Sequence, residues 1–446
     1  MFYRKVIKYM SEWSMKTDRK PLILRGARQV GKTTAINLFS KQFDNYIYLN
    51  LEKFEDRELF NEKLSIKEIF QSVLLVKGIT LKKGRTLIFI DEIQNSNIAI
   101  KMLRYFYEEL KDIFVISAGS LLELMLEKGN ISFPVGRVEY MYMYPCSFFE
   151  FLEANNQNNI SNEITKLKVN SILHNKISKL FRQYTLIGGM PEIINKYINN
   201  DNIISLNPIY ESLFTAYLDD SEKYSKNEKN KKIIRFCLDN IPAETGNRIK
   251  YTGFGKSNYK SSDISEALHI IEKAMLINII HPTTSIALPI VEDRKKSPKL
   301  QFFDTGLLNY FIGLQIYFIK IEDLNSIYRG VIAEHIVRQE ITAIDINSNS
   351  NLLFWVREKK QSNSEVDIVL QFKGKIIPVE VKSGKTGTLR SLHQFIDLTG
   401  SKYAVRFYNE EYKIISTATP KGNEYILINL PFYYAGMIYE ILEKEI

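Results

Sequence analysis

The chain holds only two cysteines, Cys146 and Cys237, far apart among its 446 residues. That excludes a disulfide framework and a cysteine-rich zinc site, and it suits a reducing compartment. Five histidines leave little room for a histidine-based metal centre. No uninterrupted apolar run reaches the roughly 18 residues that a membrane span needs. The opening MFYRKVIKYMSEW has neither the apolar stretch nor the small-residue cleavage site of a signal peptide. A cytoplasmic protein with no membrane partner is expected. The composition that remains is globular, with 45 % hydrophobic, 25 % charged and 12 % aromatic residues, which rules out disorder and fibrous repeats. The length suggests about three domains, each able to bury a core without disulfides.

The formal charge is +9, from 60 basic and 51 acidic residues. Residues 221–260 carry ten Lys/Arg against four Asp/Glu, so most of the excess sits there. Such a cluster suits an anionic partner, nucleic acid first, or is simply a solvated basic loop.

Short apolar runs at 21–25, 46–50, 86–90 and 113–117 read as strands. Helical stretches at 33–43, 66–76 and 98–111 lie between them. Strands alternating with helices predict parallel pairing, in a sheet covered on both faces. From 147 to 197 the pattern turns helical, with a polar insert at 154–162 and a turn at Gly188-Gly189-Met190-Pro191. Residues 207–280 read as helices. The clearest spans 262–276, where Ser261 or Ser262 can cap it. Runs at 277–281 and 300–303 predict a hairpin, so the middle reads as a winged-helix-like module. The last third, with a helix at 328–341 and strands at 352–357, 365–372, 375–382 and 402–408, reads as a second α/β domain. The expected division is 1–150, 151–205, 206–320 and 321–446.

Gly26-Ala27-Arg28-Gln29-Val30-Gly31-Lys32-Thr33 fits GxxxxGK[ST] without a mismatch. It follows a strand and opens a helix, as the motif requires. Its backbone N–H groups, with the helix N-terminus, would cradle phosphates. Lys32 would reach the β/γ-phosphates, Thr33 would bind Mg²⁺, and Thr34 follows in the same helical turn. Leu87-Ile88-Phe89-Ile90 runs straight into Asp91-Glu92. Unpaired carboxylates are costly as packing, but at the carboxyl edge of a parallel sheet they face a ligand crevice. Asp91 would hold the Mg²⁺ shell and Glu92 would orient and deprotonate the attacking water. Ser117, at the end of the next strand, is placed to sense the γ-phosphate, or else belongs to a simple turn. Arg137 is a candidate cationic finger, in cis or from a neighbouring subunit, or else a surface salt bridge.

Near the C-terminus, Glu365-Val366-Asp367 opens one strand and Glu380-Val381-Lys382 ends the next. Period-2 geometry puts Glu380 and Lys382 on one face, with Asp367 on the neighbouring strand. Asp367 and Glu380 could bind a divalent ion, Lys382 could assist, and Glu334 could add a ligand. This is the pattern of the PD-(D/E)xK nuclease fold, which can also serve only as a scaffold.

The segments LILRGARQVGKTT, TLIFIDEIQ, ISAGSLLELM, VGRVEYMYMYPCSFFEFL, IGGMPE, LQFFDTGLLNYFIG and EVDIVLQFKGKIIPVEVKSGK occur in that order. In them the chain resembles a large prokaryotic family of AAA-type ATPases with a C-terminal domain of unknown function. The resemblance implies an ATPase core, a helical lid, a winged-helix-like middle and a restriction-endonuclease-like end. It implies Lys32, Thr33, Asp91 and Glu92 as nucleotide residues and Arg137 as a finger. Cys146 departs from the aliphatic residue that is more usual in the family, and Ser117 from threonine. The expectation is a Mg²⁺-dependent ATPase coupled to nucleic acid or to a protein partner, in which a finger in trans would need a homo-oligomer. The rivals are an ATP-regulated nuclease using Asp367, Glu380 and Lys382, and a slow nucleotide-gated switch.

Overall fold

The computed structural model describes residues 2–119, 122, 134, 136–200, 202–223, 225, 227–315, 330–347, 352–357, 364–382 and 389–446. Five strands form the first sheet: β1 (Leu22–Arg25), β2 (Asn45–Asn50), β3 (Thr86–Asp91), β4 (Ile113–Gly119) and β5 (Glu139–Tyr142). They stand in the order β2-β3-β4-β1-β5, and every pairing is parallel. Alternate residues leave the sheet on opposite faces. Leu22, Leu24, Leu87, Phe89 and Ile116 join a core with Trp13, Ile36 and Phe39. Ile23, Ile47, Ile88, Ile90 and Val115 join another with Ile69, Val73, Ile100 and Leu103. The near-continuous apolar strands therefore do mark a sheet covered on both sides.

The helices on these faces begin where the sequence supplies caps. Ser65 and Glu68 form a capping box for Ile66–Val76, and Ser96 accepts from the Ala99 N–H to start Asn97–Glu109. A helix at Val6–Ser14 packs beside the helix Lys32–Phe39 through Val6, Met10 and Trp13.

The next unit is helical, with helices Phe148–Ala154, Asn158–Thr165, Ser171–Ile187 and Pro191–Asn200. Part of the expected polar insert is helical, because Ile160 and Ile164 are buried four residues apart. Helices Asn207–Glu222, Glu228–Glu244 and Ser261–Lys273 follow. The last is not capped by Ser261 or Ser262. Lys260 occupies the cap position and makes no side-chain bond, while Asp263 in the first turn meets the positive helix end and pairs with Lys229. The expected hairpin forms, with β6 (Ile277–Ile280) antiparallel to β8 (Lys299–Phe302).

Between them, β7 (Pro282–Thr283) pairs in parallel with β9 (Phe354–Val356), which pairs with β10 (Glu365–Val366). A three-stranded sheet thus crosses the boundary expected at 320/321. The C-terminal sheet has the order β11 (Ile368–Phe372), β12 (Lys375–Val381), β13 (Tyr403–Tyr408), β15 (Glu424–Pro431) and β14 (Lys413–Ala418). It is mixed: β12-β13-β15 run in parallel, and both edge pairings are antiparallel. Among the described residues no helix is long and apolar enough to cross a membrane.

Candidate nucleotide site

The loop Gly26–Gly31 leaves the carboxyl end of β1 and runs into the helix Lys32–Phe39. Gly31, at φ 96°, supplies the left-handed residue from which that helix starts. Arg4 holds the loop in place. Its buried guanidinium donates to the Val30 carbonyl at 2.7 Å, to the Tyr144 carbonyl at 2.8 Å and to Glu150 Oε1 at 2.9 Å. Lys32 folds over the loop, with Nζ donating to the Gly26 and Ala27 carbonyls at 2.9 Å each. Burial lowers its pKa to about 8, against the pull of Glu92 and Asp91.

Asp91 ends β3 beside this loop. Its Oδ2 accepts from the Thr33 hydroxyl at 2.9 Å and from the Tyr48 hydroxyl at 3.1 Å. Burial raises its pKa, opposed by the bonds from Thr33 and Tyr48. Glu92 follows at φ 53°, a strained geometry for glutamate that swings its side chain off the strand line. Its carboxylate accepts from the Gln94 amide, and burial raises its pKa as well. A cavity of about 580 Å³ is lined by Arg28, Gln29, Gly31, Lys32, Thr33, Thr34 and Glu92. Phe2, Arg4, Pro191, Glu192 and Asn195 line it as well. The structure thus brings the glycine loop and the acidic pair to one crevice. Thr33 and Asp91 offer hard oxygen donors side by side, a set that suits Mg²⁺.

Two expected site residues stand elsewhere. Ser117 is fully buried inside β4, paired in register with Ile23 and Ile90, and its hydroxyl donates to the Leu22 carbonyl at 3.5 Å. The strand runs two residues further than expected, to Gly119, so Ser117 lies below the crevice. Ser120 lies outside the described residues. Arg137 precedes β5, whose Glu139 pairs with Leu22 at the amino end of β1. It therefore sits at the opposite sheet edge from the loop of its own chain. There it pairs with Glu108 at 2.9 Å and faces the Tyr107 ring. This is the surface salt bridge that the sequence also allowed.

Sequence reading missed Arg4, Gln94, Tyr48 and Glu192. Arg4 had a local signal, since Val6, Ile7, Met10 and Trp13 recur at helical spacing just after it.

At the C-terminal end, Asp367 and Glu380 do converge. Asp367 Oδ2 accepts from the Val381 N–H at 2.7 Å, and Glu380 pairs with Lys382. Burial, then Glu380 and Glu334, push the Asp367 pKa well up. Glu334 is not an open ligand. It is occupied by Lys299 at 3.1 Å and Arg338 at 2.9 Å, and Lys299 also pairs with Glu365 at 2.6 Å. Among the described residues no group of three or more acidic, histidine or cysteine side chains is arranged to hold a metal ion. Asp367 and Glu380 stand as a buried carboxylate pair, with Glu334 as a further acidic neighbour. The cluster reads instead as an ion-pair network that pins β8 of the middle unit to the C-terminal unit. The basic stretch 221–260 is likewise partly neutralised. Lys223, Lys229, Lys231, Arg235 and Arg248 pair with Asp220, Asp263, Glu228, Glu222 and Glu365.

Residues 18–152 match the family described as AAA domain. Residues 178–316 match one domain of unknown function (DUF8612) and residues 329–431 another (DUF4143). No curated protein matches the chain in sequence. Among solved structures the chain is similar to a Walker-type ATPase of Pyrococcus abyssi, at 15 % identity and a TM-score of 0.45, over 70 % of this chain and 96 % of that one. It is also similar to the RuvB Holliday junction branch migration motor of Thermotoga maritima, at 14 % identity and a TM-score of 0.28, over 66 % and 93 %. The Orc1 protein of Aeropyrum pernix, solved in complex with DNA, gives 11 % identity and a TM-score of 0.26, over 70 % and 94 %. At that distance these likenesses say nothing of activity. The match to an AAA domain over residues 18–152 and the crevice built by Gly26–Thr33 with Asp91 and Glu92 fall on the same part of the chain, which has the glycine loop and acidic strand end of a P-loop nucleotide site.

Proposed function

We propose that this chain binds ATP in the crevice between the glycine loop and β3 and hydrolyses it with Mg²⁺. The observation that carries the reading is the Thr33–Asp91 contact, with Lys32 and Glu92 lining the same cavity. The loop N–H groups and the Lys32 ammonium bind the β- and γ-phosphates. Thr33 and Asp91 would hold Mg²⁺, which supplies charge neutralisation on the phosphate oxygens. Glu92 orients the attacking water and takes its proton, and burial suits it to that task by raising its pKa. Gln94 fixes the Glu92 carboxylate. Phe2, Glu192 and Asn195 line the same cavity.

We read the middle helices with the β6/β8 hairpin as a winged-helix-like module, and the C-terminal sheet as a restriction-endonuclease-like scaffold. Their suggested role is to engage nucleic acid or a protein partner under nucleotide control. The half-paired basic stretch weakens the nucleic-acid version. A nuclease has less support than a scaffold, because Lys299 and Arg338 neutralise Glu334. Any part played by Arg137 in hydrolysis requires a second copy of the chain.

Steady-state ATP hydrolysis, with and without Mg²⁺ and DNA, tests the reading on wild type and Lys32→Ala. Mg²⁺-dependent turnover lost in the variant supports it, and stimulation by DNA identifies the partner. ATP binding without turnover would favour a nucleotide-gated switch. Mg²⁺- or Mn²⁺-dependent DNA cleavage lost in Asp367→Ala would restore the nuclease.

A further inference from the structure

Arg28 is the third residue of the glycine loop and lines the nucleotide cavity, yet its guanidinium is turned toward another unit. Its Nη1 lies 2.7 Å from each carboxylate oxygen of Asp220, on the helix Asn207–Glu222. One turn earlier on that helix, the Tyr217 hydroxyl donates to the Arg28 carbonyl at 3.2 Å. A single helix outside the ATPase core therefore grips both the side chain and the backbone of one phosphate-loop residue.

The two ends of the ion pair differ. The Asp220 side chain is only 6 % exposed, while that of Arg28 is 41 % exposed and borders the cavity. Asp220 has a second cation, with Lys223 Nζ at 2.9 Å. If Arg28 left, the buried carboxylate would keep a partner, which lowers the cost of the exchange. A triphosphate entering the cavity is a stronger anion than one carboxylate, and it presents the oxygens that an arginine fork prefers.

We propose that Asp220 is an internal competitor for Arg28, a latch that the phosphates of a bound nucleotide open. This rests on the reading of the crevice as a nucleotide site and goes beyond it by naming its regulator. With the latch closed, Arg28 is withheld from the phosphates and the helix Asn207–Glu222 is docked on the loop. With nucleotide bound, Arg28 turns to the phosphates and the helix loses its main polar tie. The next helix, Glu228–Glu244, lies within the basic stretch, so opening the latch changes the anchoring of the unit suggested to meet a partner. The coupling is reciprocal: whatever pulls this helix from the loop must tighten nucleotide binding by the same factor.

Two measurements test it. The first is the affinity of the full chain for AMP-PNP with Mg²⁺, by calorimetry, with thermal melts checking that each variant is folded. Asp220→Asn is expected to bind at least threefold tighter than wild type, and Asp220→Glu to stay near wild type. Arg28→Ala is expected to bind more weakly, with no further change on adding Asp220→Asn. Unchanged or weaker binding in folded Asp220→Asn would overturn the latch, weaker binding showing that Asp220 holds Arg28 ready for phosphate. The second measurement uses the unaltered protein. Amide hydrogen exchange across residues 207–222 is expected to quicken on adding AMP-PNP, and unchanged or slower exchange with nucleotide bound rejects the proposal even if the variants do not fold. No binding by wild type at all would instead remove the nucleotide-site reading itself.

Discussion

The Thr33 hydroxyl donates to Asp91 Oδ2 at 2.9 Å, joining residues 58 positions apart. This bond joins the two oxygens that would share a magnesium ion in the proposed site. Thr33→Val keeps the shape and removes one ligand, while Thr33→Ser keeps the oxygen. ATPase kcat/KM is expected to fall about 100-fold in Thr33→Val, equivalent to about 2.7 kcal/mol, and to stay near wild type in Thr33→Ser. Asp91→Asn should shift the Mg²⁺ concentration needed for half-maximal rate upward. A Mg²⁺ titration of initial rates checks both.

In the proposed reading Glu92 acts on the attacking water and not on the nucleotide. Glu92→Gln should therefore hold ATP with near wild-type affinity and hydrolyse it about 10² to 10⁴ times more slowly. Gln94→Ala frees the Glu92 carboxylate without removing it. The expected result is a smaller loss, confined to kcat. Single-turnover rates beside equilibrium binding separate the two effects.

What the sequence made legible were features whose cause is local. The glycine loop, the helix Ile66–Val76 with its Ser65 cap, and the acidic end of β3 each depend on neighbours a few residues away. The alternatives for Arg137 stayed open because a linear reading does not say which end of a parallel sheet a residue reaches, and the register of β5 on β1 sets that. Ser117 was misplaced because Ala118-Gly119 reads as a turn. Pairing with Leu24 and Arg25 instead carries the strand through them. Glu334 looked like an open ligand because its cation, Lys299, comes from a strand 35 residues earlier and on another unit. Strands β14 and β15 went unseen for a related reason. Their partners are each other and β13, and the alternating exposure of Lys413–Ala418 marks an edge, which a polar loop resembles.

Nucleotide affinity should depend on pH through Lys32. Burial holds its pKa near 8 in the free site, and phosphate contact restores the charged form, so binding takes up a proton above that pH. Affinity is then flat below about pH 8 and falls up to about tenfold per pH unit above it, until the ordinary lysine range near 10.4 is approached. Calorimetry at pH 8.5 to 9, in buffers of different ionisation enthalpy, should register proton uptake that Lys32→Met lacks.

Arg4 ties Glu150 and the Val30 carbonyl together and lines the cavity. Arg4→Met strands a buried carboxylate and is expected to cost about 3–5 kcal/mol of stability. Adding Glu150→Gln removes the stranded charge and keeps the cap on Phe148–Ala154, so much of that stability should return. Nucleotide affinity should not return with it, because the guanidinium that fixes the Val30 carbonyl and lines the cavity is still missing. Urea unfolding and ATP binding, measured on the same double variant, separate a packing role from a positioning one.

The Gly188-Gly189 turn sets the helix Pro191–Asn200 against the nucleotide cavity, and Asp304 sets the turn. Asp304 Oδ2 accepts from the Gly189 N–H at 2.6 Å, and Oδ1 from the Leu307 N–H at 3.0 Å. Burial outweighs these donors and raises its pKa to about 6. The unfolded chain releases this proton near pH 4 and the folded chain near 6, so the associated stability is fully present below about 4 and lost as pH rises through 6. Asp304→Asn places an amide N–H against one of the two donors, at a cost of about 1–3 kcal/mol. It also abolishes the titration, so its deficit relative to wild type should shrink between pH 5 and pH 7.5. Gly188→Ala gives no such pH signature: at φ 76° its new methyl meets the Asp304 carboxylate, and a loss above about 2 kcal/mol is expected at both pH values. Urea melts of the three proteins at the two pH values decide whether Asp304 is the charged post on which the turn is hung.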